Sequence, residues 1–197
     1  STITSTLYFG TSPQFSYNVS LSNDGKTISI GAKYGGPNNA GTVEVFSFTN
    51  NEWGLKGQVI HGVNKYEDCQ HNDLNGDGDI LVVGSSAYNS TNTDPTTYVN
   101  NGEGKVMVYY YNPTSTNWEL IGSEIIGWST GIDFGWRVSI NRDCVSSDLS
   151  TIVIACIARE DYSSGEASYA RGSTSIFYYD TTSQDFVQRG EKIHCGE

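Results

Sequence analysis

The sequence predicts an all-β protein built from tandem four-stranded antiparallel units. Three observations carry that expectation: a turn-rich composition, short stretches of alternating apolar residues, and an internal repeat. Of 197 residues, 22 are Gly and 13 are Tyr, and only 17% are charged, against a usual share of about 25%. Gly, Asn and Ser punctuate a chain, whereas β-branched and aromatic residues fill pleated faces. Alternation is clear at Val43 and Val45 and at Val106 and Val108, the period of a half-buried strand. No stretch shows a 3.6-residue apolar period with caps.

The repeat sets the architecture. Its first block reads VSLSNDGKTISIGA (19–32), NDLNGDGDILVVGS (72–85) and VSINRD…DLSTIVIAC (138–156). The second reads GTVEVFSF (41–48), GKVMVYYY (104–111) and GSTSIFYY (172–179). The third reads WGLKGQVIHG (53–62), WELIGSEIIG (118–127) and FVQRGEKIHC (186–195). Gly41, Gly104 and Gly172 are spaced by 63 and 68 residues. In the third unit the strands are expected at 134–141, 150–157, 175–180 and 185–193. Turn signals separate strands elsewhere, as in Asn23-Asp24-Gly25 and Asn112-Pro113-Thr114. The chain divides into a connector or edge segment (1–14), a first unit (15–62), a second (63–127) and a third with the start of the next connector (128–197).

Four-stranded antiparallel units in tandem read as β-propeller blades, and propellers close with about 4 to 8 of them. Three blades leave open edges that invite pairing. The expected fold is therefore a propeller-like array of three blades, its ring closed by further blades or by oligomerisation. The chain begins at Ser1 and its sole methionine is Met107, as expected of a processed chain or a fragment.

The pattern Val-Ser-Leu-Ser-x-Asp-Gly…Ile-Gly-Ala, then Gly-x-Val-x-Val, then Trp-x-x-x-Gly resembles FG-GAP-type repeats, which also build the propeller of integrin alpha chains. The likeness runs from about Phe15 to Ile193. Phe134-Gly135 matches the Phe-Gly element, while Phe15-Ser16 and Asp68-Cys69 stand there in the other units. Gly31-Ala32 matches Gly-Ala, with Gly84-Ser85 and Ala155-Cys156 as its counterparts. The resemblance implies ligand recognition, adhesion or surface assembly, a binding or structural module more than a catalyst, and the expectation is a non-catalytic protein.

Charge excludes some partners. Lys and Arg total 11 against 22 Asp and Glu, a net charge of −11. Nucleic acid and anionic membrane surfaces want the opposite sign, and no apolar run reaches the ~18 residues that span a bilayer. A protein or glycan ligand, and association with itself or with neighbouring blades, are the expected partners. Four cysteines and the sequons at Asn18 and Asn89 suit a secreted or cell-surface protein. Cys144 and Cys156 flank a hairpin-like turn and are candidates to bridge. Cys69 and Cys195 sit in connectors and form a second candidate pair, but sequence cannot choose among the pairings.

The leading site candidate is Asp73, Asn75, Asp77 and Asp79. Alternating oxygen ligands with a glycine can wrap Ca²⁺, and the calcium loop of the resembled family has Asp-x-Asp-x-Asp-Gly-x-x-Asp. Asp73, Asn75 and Asp77 match its first three ligands and Gly78 its glycine, but Leu81 takes the ninth place. The competing reading is an Asx-rich hairpin turn. Trp128 and Trp136 depart from the shared aromatic positions and are candidates for ligand contact. His61 and His194 share one repeat position, which suggests structure. The loops 86–103 and 157–171 would present binding groups. Two other functions remain open. Glu160, Asp161 and Glu166 could serve a polysaccharide hydrolase or lyase, and the chain could be a coat or appendage subunit of a microbe or virus.

Overall fold

The computed structural model describes residues 14–97, 102–160 and 171–194. They form three antiparallel sheets, each wound in chain order from an inner strand outwards. The first sheet contains β1 (Gln14–Leu21), β2 (Thr27–Lys33), β3 (Thr42–Thr49), β4 (Glu52–Leu55) and β5 (Ile60–His61). The second contains β6 (Cys69–Leu74), β7 (Ile80–Ser85), β8 (Lys105–Asn112), β9 (Asn117–Leu120) and β10 (Ile125–Ile126). The third contains β11 (Arg137–Ile140), β12 (Val153–Glu160), β13 (Arg171–Asp180), β14 (Asp185–Gln188) and β15 (Ile193–His194).

The expected fourth strand is two short ones in each sheet. β4 and β5 both pair with β3, and the same holds for β9 and β10 on β8 and for β14 and β15 on β13. The break falls at Gly57, Gly122 and Gly190, with φ of 78°, 64° and 73°. These are the glycines of the Trp-x-x-x-Gly pattern, and their left-handed backbone ends pairing in each copy. His61 faces Thr42, Ile126 faces Lys105 and His194 faces Ser173, so the histidines do occupy one repeat position.

The second strand of the third sheet corrects the expected register. Leu149–Thr151 forms a 3-10 turn, capped by the Asp148 side chain accepting from the Ser150 N–H. β12 consequently starts at Val153. Asn141 N–H donates to Val153 O just as Ser22 N–H donates to Thr27 O and Asn75 N–H to Ile80 O. Thr27, Ile80 and Val153 are thus equivalent. Gly31-Ala32 then corresponds to Ile157-Ala158, two residues beyond the expected Ala155-Cys156.

The sheets stack face to face with their inner strands together. One core joins the first two sheets, with Val43, Val45 and Ile60 against Leu74, Leu81, Val83, Met107 and Trp118. The other joins the second and third, with Ile80, Val82, Val106 and Val108 against Phe134, Ile140, Ile154, Cys156 and Phe177. Alternation along each strand sends successive side chains to opposite faces, so the second sheet feeds both cores.

Cys69, Cys144 and Cys156 are free buried thiols, so the expected Cys144–Cys156 bridge is not formed. Burial, with Asp79 nearby, pushes the Cys144 thiol up to about 12, and burial likewise raises Cys156 and Cys69. Such thiols stay protonated and behave as small apolar groups. Cys195, the other half of the Cys69 pairing, lies outside the described residues. Among the described residues no helix is long and apolar enough to cross a membrane.

Candidate functional site

Three inner strands supply equivalent positions near the axis: Ser20, Asp73 and Ser139, each opposite an equivalent residue of the second strand. Asp73 lies between its two counterparts. Its Oδ1 accepts from Ser20 Oγ at 2.6 Å, and its Oδ2 accepts from Ser139 Oγ and from the Ile140 N–H at 3.1 Å each. The Leu74 N–H donates to Ser20 Oγ at 3.1 Å, the same bond one junction earlier. Inner strands have a free edge, and the preceding sheet's side chain satisfies a donor there. One turn below, Asn23 N–H donates to Gly76 O and Gly76 N–H to Arg142 O, at 2.8 and 2.7 Å. Arg142 returns to the first sheet, donating to Asn23 Oδ1 and Leu21 O.

This geometry tests the candidate calcium loop. Asn75 Oδ1 accepts from the Asp79 and Ile80 N–H groups of its own turn, and its Nδ2 donates to Asp79 Oδ1 and Cys144 O. Asp79 Oδ2 accepts from Ser146 Oγ at 2.6 Å. Asp77 is exposed. The four side chains do not converge on one cation, and among the described residues no group of three or more His, Cys, Asp or Glu is arranged to hold a metal. The residues fit an Asx turn that fastens sheets together better than they fit a calcium cradle.

The sequons meet similar constraints. Asn89 is only 5% exposed and its Oδ1 accepts from Thr91, so a glycan at Asn89 conflicts with this packing. Asn18 Oδ1 accepts from the Asn72 N–H across the first junction.

The inner strands begin, at the opposite end of the axis, in irregular pairing. β1 bulges between Phe15 and Asn18 and β6 between Cys69 and His71. In the third sheet Gly135 and Trp136 N–H groups both donate to Ile157 O. Bulges re-aim side chains, and here they gather residues from all three sheets. The Tyr17 ring meets His71 at 5.8 Å, and His71 meets Trp136 at 5.6 Å between centroids. Arg159 and Arg137 lie 5.3 and 5.8 Å from the Trp136 ring. Arg137 Nη1 also reaches His71 Nδ1 at 2.7 Å and Trp136 O at 3.0 Å. A guanidinium only donates, so His71 accepts through Nδ1 and carries its proton on Nε2. Burial, with Arg137 and Lys33 nearby, pulls His71 down to about 3. His71 is therefore a neutral acceptor that holds Arg137 in place.

Lys33 flanks this group 5.7 Å from Tyr17 but is paired with Asp68 at 3.3 Å. Trp136 thus sits among His71, Arg137 and Arg159. Trp128 makes its contacts elsewhere. It is 42% exposed, meets Phe134 edge-on at 5.6 Å and lies under Lys192. Glu160 contributes backbone to β12, while its side chain, Asp161 and Glu166 lie outside the described residues. Sequence reasoning missed Tyr17, Arg137 and Arg159 as neighbours of His71 and Trp136. No residue pattern marks the irregular pairing that brings them together.

The fold and this group of side chains define an all-β protein of stacked antiparallel sheets, with arginines and aromatic rings gathered at one end of the inner strands. No family model matches the chain, and no curated protein matches it. Its fold is similar to that of a hypothetical selenium-binding protein from Sulfolobus tokodaii, at a TM-score of 0.52 and 10% identity, covering 90% of this chain and 42% of that one. It also overlaps a candidate 6-phosphogluconolactonase from Bacteroides uniformis at a TM-score of 0.48 and 12% identity, covering 89% and 39%. The chain thus spans about two-fifths of the length of the solved structures it matches, and at these identities the likeness shows fold alone.

Proposed function

We propose that this chain is a three-bladed β-propeller segment that acts as a non-catalytic recognition and assembly module, secreted or at a cell surface. One observation carries the reading: the outer face of the third sheet presents again the positions that the first two sheets bury at their junctions. Val43, Val45 and Ile60 of the first sheet and Val106, Val108 and Ile125 of the second are equivalent to Thr174, Ile176 and Ile193 of the third. The first two sets pack into a neighbouring sheet, whereas Ile193 is 61% exposed and Val187 beside it 37%. Gly172 repeats the theme. A Cβ on Gly41 would meet the Cys69 backbone at 2.6 Å and one on Gly104 the Phe134 backbone at 2.1 Å, but among the described residues one on Gly172 meets only Ala158 O of its own sheet, at 3.6 Å.

The occupant of that face is a further blade. Continuity with the two internal junctions supports this, as does the more than twofold length of the similar solved structure. Further blades of a longer chain, or those of a second copy, would close the ring. Buried Glu67 and half-buried Asp73 are spent on hydrogen bonds that hold neighbouring elements, in keeping with a non-catalytic role. The test is the Val187→Asp/Ile193→Asp double variant in sedimentation velocity. Loss of association with retained circular dichroism supports the module. Unchanged association, or turnover of a polysaccharide by the wild-type protein, contradicts it.

A further inference from the structure

We infer that the axial corner formed by Tyr17, His71, Trp136, Arg137 and Arg159 binds an oxyanion carried on a sugar ring, that is, an acidic saccharide. The inference rests on the recognition reading above and gives it a ligand class.

Charge placement is the first argument. The chain carries a net charge of −11, yet neither Arg137 nor Arg159 has a carboxylate within ion-pair distance among the described residues. The ion pairs there belong to Lys33 and Lys105. Only Nη1 of Arg137 is engaged, on His71 and on the Trp136 carbonyl. Its Nε and Nη2 are without a protein acceptor among the described residues. A guanidinium fork matches carboxylate or sulfate oxygens in pairs. Fixing Nη1 beforehand lowers the ordering cost of binding.

The surface around the guanidinium groups is the second argument. Tyr17 is 38% exposed and Trp136 is partly exposed, on either side of buried His71. Ring faces accept the apolar face of a sugar while the charged rim fixes its acid group. The repeat also leaves room there. A Cβ on Gly31 would lie 1.9 Å from Gln70 O, and one on Gly84 2.2 Å from Gly135 O. At both internal junctions, then, the next inner strand presses against a glycine. Ile157 takes that place in the third sheet. A following blade would therefore sit further out here than at the internal junctions, over Ile176 and Ile193, and would leave Arg137 and Arg159 accessible.

The test is calorimetric titration at low salt with three probes: trigalacturonate for a carboxylate, a sulfated heparin-type disaccharide for a sulfate, and maltotriose as the neutral control. Wild-type protein is expected to bind one or both acidic probes and not maltotriose. The R137Q/R159Q variant should lose at least about tenfold in affinity, as expected for lost charge-assisted contacts, and W136A a similar factor through the lost ring face. Lys26→Gln, remote from the corner, should bind as wild type. Failure of both acidic probes to bind, equal binding of maltotriose, or unchanged affinity in R137Q/R159Q would overturn the inference. Sedimentation of the same samples reports the assembly reading separately, so association without saccharide binding rejects only the ligand class.

Discussion

The two faces of the third sheet come from the same strands and meet opposite surroundings. Ile154, Cys156 and Phe177 point towards the second sheet and are at most 8% exposed. Ile157 and Val187, on the other face, are 36% and 37% exposed, and Ile193 is 61%. Strand alternation makes both faces apolar, but among the described residues only one packs against another sheet. The difference teaches that these sheets are stabilised through their junctions. A junction here has two parts, apolar packing in the body and polar bonds along the inner and connecting edges.

The largest expected effect comes from the connector that closes the first junction. Glu67 is 1% exposed. It accepts from the Val63 and Asn64 N–H groups at 2.8 Å each and from Ser85 Oγ at 2.9 Å, and it pairs with buried Lys105 at 3.4 Å. Glu67→Ala strands those donors and removes one of the two carboxylates on buried Lys105, the other being Glu124 at 3.0 Å, so chemical denaturation should register a loss of about 2–4 kcal/mol. A loss under about 1 kcal/mol, a surface-like value, would mean the connector does not hold the junction.

Asp73 sharpens the comparison between edge and surface. Asp73→Ala removes the shared acceptor of three inner strands and should cost about 2–3 kcal/mol. Asp77→Ala, in the same loop but exposed, should stay within about 0.5 kcal/mol. Equal effects would return the loop to a single function. If the loop held calcium, added Ca²⁺ would raise the wild-type melting temperature. The hydrogen-bonded geometry predicts no change on adding Ca²⁺ or a chelator.

A pH effect separates the axial end from the rest. His71 is held near 3 in the folded chain, against about 6.5 when unfolded. The unfolded state therefore binds the extra proton between those values. The contribution of neutral His71 is full above about 6.5 and is lost as pH falls towards 3, at up to about 1.4 kcal/mol per pH unit. Between pH 6.5 and 5, wild-type denaturation midpoints should fall more steeply than those of His71→Gln. Parallel curves would show that His71 is not held neutral. The smallest stability effect belongs to the open face: Val187→Asp/Ile193→Asp should change the stability of the isolated chain by no more than about 0.5 kcal/mol.

Much of this fold was legible in the sequence because its signals are local. The repeat blocks placed the strands of each sheet, and His61 and His194 fell at equivalent positions, but the breaks at Gly57, Gly122 and Gly190 went unread because the apolar pattern runs on through them. The register of β12 was less legible, because Asp148 and Thr151 favour a short turn that the apolar pattern of residues 150–157 conceals. Asp73 was ambiguous for a physical reason: alternating oxygens suit a cation loop and a hydrogen-bonded turn equally well, and their neighbours from other sheets favour the turn. The axial corner was the least legible. Tyr17, His71 and Trp136 come from three different sheets, and their meeting depends on bulges that carry no distinctive residue type.

The most direct measurement is the native mass by light scattering beside the denatured intact mass of the natural protein. A native mass that holds more than three blades is expected, either as a multiple of 21.5 kDa or as one longer chain. A monomer of 21.5 kDa in both measurements would contradict it, because the outer face of the third sheet would then stand uncovered in the working protein.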